Sequence, residues 1–223
     1  MKVRLLGTAA GGGLPQWNCA CTGCDEARRL GVSRTQDCLA VTGDGSAWYL
    51  VNASPDLRTQ LIAAPELAPG PGLRDTPLRG VLCSTGELDH TLGLITLREA
   101  TSLHVYATAP VRAALEGPFP VGPILSRYTT VEWHEEFLRI IEKAHVVLLD
   151  GTFLHDDEMT REAGGGRPAS AMGHLPIEDT VGRLPTGTRF VYTHLNNTNP
   201  LARPGPAKLG GAEVAAEGQV LEL

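Results

Sequence analysis

Asp89 and His90 stand side by side just after the apolar run Gly80-Val81-Leu82-Cys83, in the stretch Thr85-Gly86-Glu87-Leu88-Asp89-His90. The run reads as a buried strand feeding a loop, where backbone released from the sheet ladder presents reactive side chains. Adjacent residues at a turn reach one ion, whereas along a strand they point to opposite faces. Taken alone, the pair reads first as an ordinary surface turn with a capping aspartate before Thr91. Two more apolar runs end in the same residue types: His145-Val146-Val147-Leu148-Leu149 leads to Asp150, and Arg189-Phe190-Val191-Tyr192-Thr193 leads to His194. Two histidines with one or two carboxylates suit zinc, manganese or iron. Two histidines and one carboxylate with open positions are how non-haem Fe(II) oxygenases bind substrate and O₂ together. Any one of Asp89, His90, Asp150 and His194 could be a core or capping residue; four at strand ends point to a site.

Cys19, Cys21 and Cys24 form a second cluster, with one and then two residues between them and Gly23 to ease the bend. Three thiolates so spaced can surround one ion, and in a reducing compartment they favour zinc in a closed tetrahedral site. A fourth ligand must come from elsewhere, which predicts a metal staple between the N-terminal loop and a distant one. Cys38 and Cys83 sit within apolar strands and read as small core residues.

The elements that must position these groups follow from periodicity and turn chemistry. Strands are expected at 2–7, 38–41, 47–51, 80–83, 103–106, 129–133, 145–149 and 189–193, with at least one more in the tail 212–223. Helices are expected at 25–30, from Pro55 at the first helical position after a Ser54 hydroxyl cap, over 92–97 and 110–115, and over 135–143, where Phe137, Ile140 and Ile141 share a face. The Gly11-Gly12-Gly13 loop has neither the spacing of a dinucleotide fingerprint nor a Walker lysine, so its glycines serve close passage of the backbone past a neighbouring loop. Met172-Gly173-His174-Leu175 places a histidine just before a short helix. Alternation of strands and helices predicts an α/β fold with the site along one sheet edge.

With 223 residues, 42% hydrophobic and 20% charged, the chain suits one globular domain spanning 1–223. Its net charge of −6 offers no footprint for nucleic acid. No apolar run is long enough to span a bilayer, and Gly7 ends the early run too soon for a secretory signal, so a cytoplasmic location without membrane attachment is expected.

A specific resemblance follows from longer strings. Thr85-x-Glu87-x-Asp89-His90 resembles the His-x-His-x-Asp-His motif of the metallo-β-lactamase fold with both leading histidines replaced. The strings Gly7 to Cys19, Asn52 to Asp56, Leu149 to Thr152, Asp156 to Met159, Met172 to Leu175 and His194 to Pro200 resemble the pyrroloquinoline quinone (PQQ) biosynthesis protein B family, PqqB. The resemblance implies a four-layer αββα sandwich and an iron- and O₂-dependent hydroxylation of the tyrosine ring of a Glu–Tyr-derived precursor. Asp89, His90 and His194 would hold Fe(II), with Asp150 a fourth ligand or an acceptor behind them. His174 would be a proton donor or a substrate contact. Cys19, Cys21 and Cys24 would hold a structural zinc, whose fourth ligand falls by family spacing on Asn197, a poor zinc ligand. His104, His134, His145 and His155 match no ligand position and read as structural or surface residues. The family's long middle segment is missing at the 134/135 junction, which implies a reduced second sheet and suggests a homodimer that covers the gap. The small-molecule or dipeptide precursor and other proteins of the pathway are the implied partners. Alternatives are a non-catalytic carrier for PQQ or its precursor and a phosphodiesterase-like metal-dependent hydrolase.

Overall fold

A computed structural model describes residues 1–134, 146–172, 174–184, 188–203 and 208–222. Strands among these are β1 Lys2–Gly7, β2 Cys38–Thr42, β3 Trp48–Val51, β4 Leu78–Cys83, β5 Ser102–Ala107, β6 Thr130–His134, β7 Val146–Asp150, β8 Arg189–Thr193, β9 Lys208–Leu209, β10 Ala212–Val214 and β11 Val220–Glu222. The helices are α1 Thr22–Leu30, α2 Leu57–Ala63, α3 Leu88–Thr91, α4 Ala109–Glu116, α5 Val121–Leu125, α6 Glu158–Ala163 and α7 Ile177–Thr180. The helix expected over 135–143 lies outside the described residues. None of the described helices is long and apolar enough to cross a membrane.

The chain divides into two compact units, one of Met1–Gly7, Asp37–Lys143 and Gly218–Leu223, the other of Thr8–Gln36 and Ala144–Glu217. In the first, a seven-stranded sheet runs β11-β1-β2-β3-β4-β5-β6. The strands from β11 to β3 pair antiparallel and those from β3 to β6 parallel. Parallel neighbours require crossovers, and the helices between β3 and β6 provide them. Alternation decides the faces: Leu103, Val105 and Ala107 join Leu50 and Val81 in one cluster with Leu57, Leu94, Leu115 and Leu125 from the crossovers. Each such leucine contributes about 2 kcal/mol by leaving water.

The turns after β3 and β4 are locked together. Asn52 takes a left-handed φ of 64° and its Oδ1 accepts from Ser84 N and Oγ at 3.0 and 2.8 Å. Ala53 N donates to His90 O at 2.7 Å, and Gly93 N donates back to Ala53 O at 2.8 Å. Ser54 does not cap α2 through its hydroxyl, as the sequence suggested; the N-cap is Asp56, while Ser54 Oγ donates to the buried Gln60 Oε1 at 2.9 Å. Helix α5 escaped the sequence reading because three prolines cluster there. Pro123 lies in its first turn, where an N–H has no intrahelical partner to lose.

In the second unit the order is β7-β8-β10-β9, with β7, β8 and β10 parallel. Helix α1 begins directly after Cys21 and closes on Gly31 at φ 65°, so Cys24 falls within its first turn rather than before it. Arg34 ties this N-terminal segment down, donating to Ala202 O, Thr8 Oγ1 and Ala215 O at 2.7–2.8 Å. The triglycine loop passes close to its neighbours as expected: Gly13 has φ 70°, and a Cβ there would lie 3.2 Å from Arg34 O.

Gly93 is the tightest point. A Cβ at this position would lie 2.1 Å from Ser54 O and 2.8 Å from Ala53 C and O, all backbone atoms. Gly93→Ala should destabilise the protein by about 3 kcal/mol, the upper range of overpacking costs. Urea unfolding monitored by circular dichroism checks this, and an unchanged midpoint would show that the turn is looser than described.

Candidate metal-binding sites

In the first unit, α3 carries Asp89 and His90 just past β4. Asp89 is not the cap of this turn, a position held by Glu87, but lies in its first turn. The buried His90 ring has its Nδ1 2.9 Å from Thr85 Oγ1, and that same oxygen accepts from Glu87 N at 3.2 Å. Glu87 Oε2 is 3.8 Å from Nδ1, and Asp89 Oδ2 is 3.9 Å from Nε2. Thr85 thus engages the Nδ1 side of the ring, while the Asp89 carboxylate stands on its Nε2 side.

In the second unit, parallel pairing of β7 with β8 sets Asp150 opposite Thr193, and Gly151 N bonds Thr193 O at 2.8 Å. His194 then takes a left-handed φ of 59°, uncommon for a residue with a side chain. Thr152 N donates to Asp150 Oδ1 at 3.1 Å, and Thr152 Oγ1 donates to the same oxygen. An ionised carboxylate only accepts, so the single hydroxyl hydrogen of Thr152 is committed to Asp150. Its oxygen, 2.9 Å from His194 Nδ1, must therefore accept from that nitrogen. His194 is held as the Nδ1–H tautomer, with the lone pair on Nε2.

His174 Nδ1 lies 2.7 Å from Asp150 Oδ2. The His174 ring stacks toward His194 with centroids 6.3 Å apart and meets the edge of Phe153 at 5.5 Å. Burial opposes ionisation of Asp150, but the His194 imidazole 3.6 Å from Oδ1 and the bonds from Thr152 and His174 outweigh it and hold the carboxyl well below the usual carboxylate range. Both Asp150 oxygens are therefore engaged by protein donors. A cavity of about 370 Å³ opens on Asp150, lined among others by Leu175, Arg183, Leu184 and Tyr192.

The three cysteines also come together within the second unit, their sulfurs all within 4.8 Å of one another. Asn197 faces all three sulfurs: its amide nitrogen donates to those of Cys19, Cys21 and Cys24 at 3.3, 3.6 and 3.4 Å. A Cβ on Gly23 would come within 2.8 Å of Asn197 O, which explains glycine in this turn. The neighbouring polar residues each have a structural partner. Thr198 Oγ1 donates to the buried Glu158 at 2.6 Å, and Asn199 Nδ2 to Gly151 O at 2.8 Å. Cys38 and Cys83 are buried in β2 and β4, as expected of core residues.

Sequence reasoning singled out Asp89, His90, Asp150, His174, His194 and the cysteines. It passed over Thr85 and Thr152, whose hydroxyls orient the imidazoles. For Thr152 a signal existed: an aspartate two residues before a threonine favours a side-chain-to-backbone turn. Of the remaining histidines, His155 pairs with Glu178 at 2.8 Å, and His145 lies outside the described residues.

A family model for the beta-lactamase superfamily domain matches residues 47–137. The crystal structure of Zn(2+)-bound PqqB from Methylobacterium extorquens superposes with a TM-score of 0.84 and 31% identity, covering 100% of both chains. A diphosphatase from the PhnP family aligns with a TM-score of 0.70 at 18% identity over 100% of this chain and 97% of its own, which shows a common fold. The chain has the metallo-β-lactamase fold. Coenzyme PQQ synthesis protein B from Azoarcus sp. (strain BH72) is 36% identical over 100% of each chain, and that from Cupriavidus taiwanensis 34% identical over 99% of each. The chain belongs to the PqqB family. The Azoarcus alignment runs over 304 positions against 223 residues here, so at least 81 positions, the difference, have no counterpart in this chain.

The cysteines should differ sharply in reactivity in metal-free protein. Burial raises the Cys19 thiol, but donors from Cys21, Cys24 and Asn197 outweigh it and the thiol lies below its ordinary value. Burial pushes Cys21 up to about 11 and Cys83 up to about 12. Because thiolate is the reacting form, iodoacetamide at neutral pH should label Cys19 first. Mass spectrometry of timed samples checks this; labelling of Cys83 at the same rate would contradict the burial described.

Proposed function

We propose that this chain takes part in the synthesis of pyrroloquinoline quinone as an Fe(II)- and O₂-dependent hydroxylase of the tyrosine ring of a Glu–Tyr-derived precursor. Membership of the PqqB family supports the pathway, since relatives of full length carry the name coenzyme PQQ synthesis protein B. In this reading Asp89, His90 and His194 hold the ion. The observation that carries it is the like treatment of two imidazoles: Thr85 engages Nδ1 of His90, and Thr152 engages Nδ1 of His194. Fixing one ring nitrogen by a hydrogen bond is how proteins orient a histidine to ligate through the other. Two imidazoles and a carboxylate fit iron, which when bound supplies open positions for substrate and O₂.

Thr85 and Glu87 stand where two-metal hydrolases of this fold have histidines. A hydrolytic clamp needs ions on both the attacking and the leaving oxygen, and one ligand set here lacks its imidazoles. That weighs for oxygen chemistry over phosphodiester hydrolysis. Asp150 acts from behind the ion: with both oxygens committed to Thr152 and His174, it orients rather than ligates. His174 donates Nδ1–H to that carboxylate, so its Nε2 is the atom that exchanges a proton with the substrate ring. The cysteines hold a structural zinc, with Asn197 as the fourth ligand once its amide is turned to present Oδ1; amide orientation is a choice between nearly identical shapes. We place the missing positions at the 134/135 junction, with dimerisation covering the shortened sheet and other pathway proteins as partners in the cytoplasm.

The test is turnover by anaerobically purified protein loaded with Fe(II), given the precursor, ascorbate as two-electron reductant and then ¹⁸O₂, so that one oxygen atom enters the ring and the other leaves as water. The expected product carries one labelled oxygen. His90→Ala and His194→Ala should abolish it with the fold intact by circular dichroism. His174→Ala should lower kcat about 100-fold, the scale of general acid–base catalysis, without changing iron content. An equal yield from zinc-loaded protein would contradict the iron reading. Tight PQQ binding without turnover in any metal form would replace it with a carrier role.

A further inference from the structure

A third cluster of metal-ligating side chains lies on the seven-stranded sheet and uses none of the residues above. Strands β5 and β6 run parallel in a register that sets His104 opposite Glu132 and Tyr106 opposite His134. Alternation sends Leu103, Val105, Val131 and Trp133 into the helix-covered core. His104, Tyr106, Glu132 and His134 therefore share the opposite face. There His104 Nδ1 is 3.0 Å from His134 Nε2 and 3.5 Å from Glu132 Oε2. One ligand atom from each of the three lies within 4.8 Å of the others.

We infer that His104, Glu132 and His134 form a binding site for a borderline divalent transition ion of the zinc and nickel class. A tetrahedral ion with bonds of about 2.1 Å holds its ligand atoms about 3.4 Å apart. The separations from His104 Nδ1, 3.0 Å to His134 Nε2 and 3.5 Å to Glu132 Oε2, bracket that value. Two imidazoles and a carboxylate select zinc, nickel or copper over magnesium or calcium. The rings are preset: Tyr106 stacks on His134 with centroids 4.6 Å apart and 20° between planes, and Tyr49 packs its edge on Tyr106 at 6.1 Å. The His104 and Glu132 side chains are 37% and 48% exposed, which gives an ion entry from solvent. Three protein ligands leave the fourth position to water. Because β6 ends the sheet order among the described residues, the ion clips an edge strand to its neighbour.

The experiment uses the full chain, stripped with EDTA and titrated with Zn²⁺ under calorimetry, with bound metal counted by mass spectrometry. The double variant H104Q/H134Q should bind one zinc fewer than wild type and show a smaller zinc-induced rise in Tm. E132Q should keep that zinc at an affinity lowered at least roughly tenfold, the scale on which even indirect ligand support counts. His90→Ala and Cys21→Ala should both retain it, which separates this site from the two described above. Equal zinc in wild type and H104Q/H134Q would overturn the proposal. Should the double variant unfold, Ni²⁺ added to wild type decides: selective broadening of the His104 and His134 ring signals in NMR supports the site, and unchanged signals overturn it.

Discussion

The Thr152 hydroxyl has one hydrogen, and Asp150 takes it. Everything on that side of the site follows from this commitment. The threonine oxygen can then only accept from His194 Nδ1, so the ring turns its Nε2 lone pair the other way. The remaining Asp150 oxygen fixes His174 by Nδ1 in the same manner. One carboxylate therefore orients two imidazoles, one directly and one through a hydroxyl. Thr85 engages His90 from the same ring nitrogen.

The backbone makes that arrangement affordable only at strand ends. Parallel pairing of β7 with β8 and of β3 with β4 stops in step, and the chain leaves through left-handed residues, His194 in one unit and Asn52 in the other. Such conformations cost roughly 1 kcal/mol or more each and persist where surrounding bonds over-determine them. At Asn52 those bonds come from Ser84, at His194 from Thr152 and from the flanking Leu195, whose N bonds Thr8 O. Close packing leaves no side chain at Gly151, where a Cβ would sit 2.7 Å from Thr193 O.

Much of this was legible from sequence because it rests on local pattern. Apolar runs gave the strands from β1 to β8 to within a few residues, and the acidic or imidazole residue ending each of three runs gave the candidate ligands. The cysteine spacing showed an ion-sized cluster. What escaped depends on contacts between distant segments. Asn197 is a poor ligand by type, yet the fold sets its amide against all three sulfurs. His104 and His134 looked like surface residues because their spacing means nothing until β5 and β6 pair, and only the parallel register joins them to Glu132. Helix α5 was hidden by prolines that its first turn tolerates.

Asp150, through Thr152, fixes His194 as the Nδ1–H tautomer. Long-range ¹H–¹⁵N correlation of the imidazole nitrogens in metal-free protein reads this directly. A protonated Nδ1 and an unprotonated Nε2 are expected for His194, with loss of that preference in Thr152→Val. A His194 ring protonated on Nε2 in the unaltered protein would contradict it.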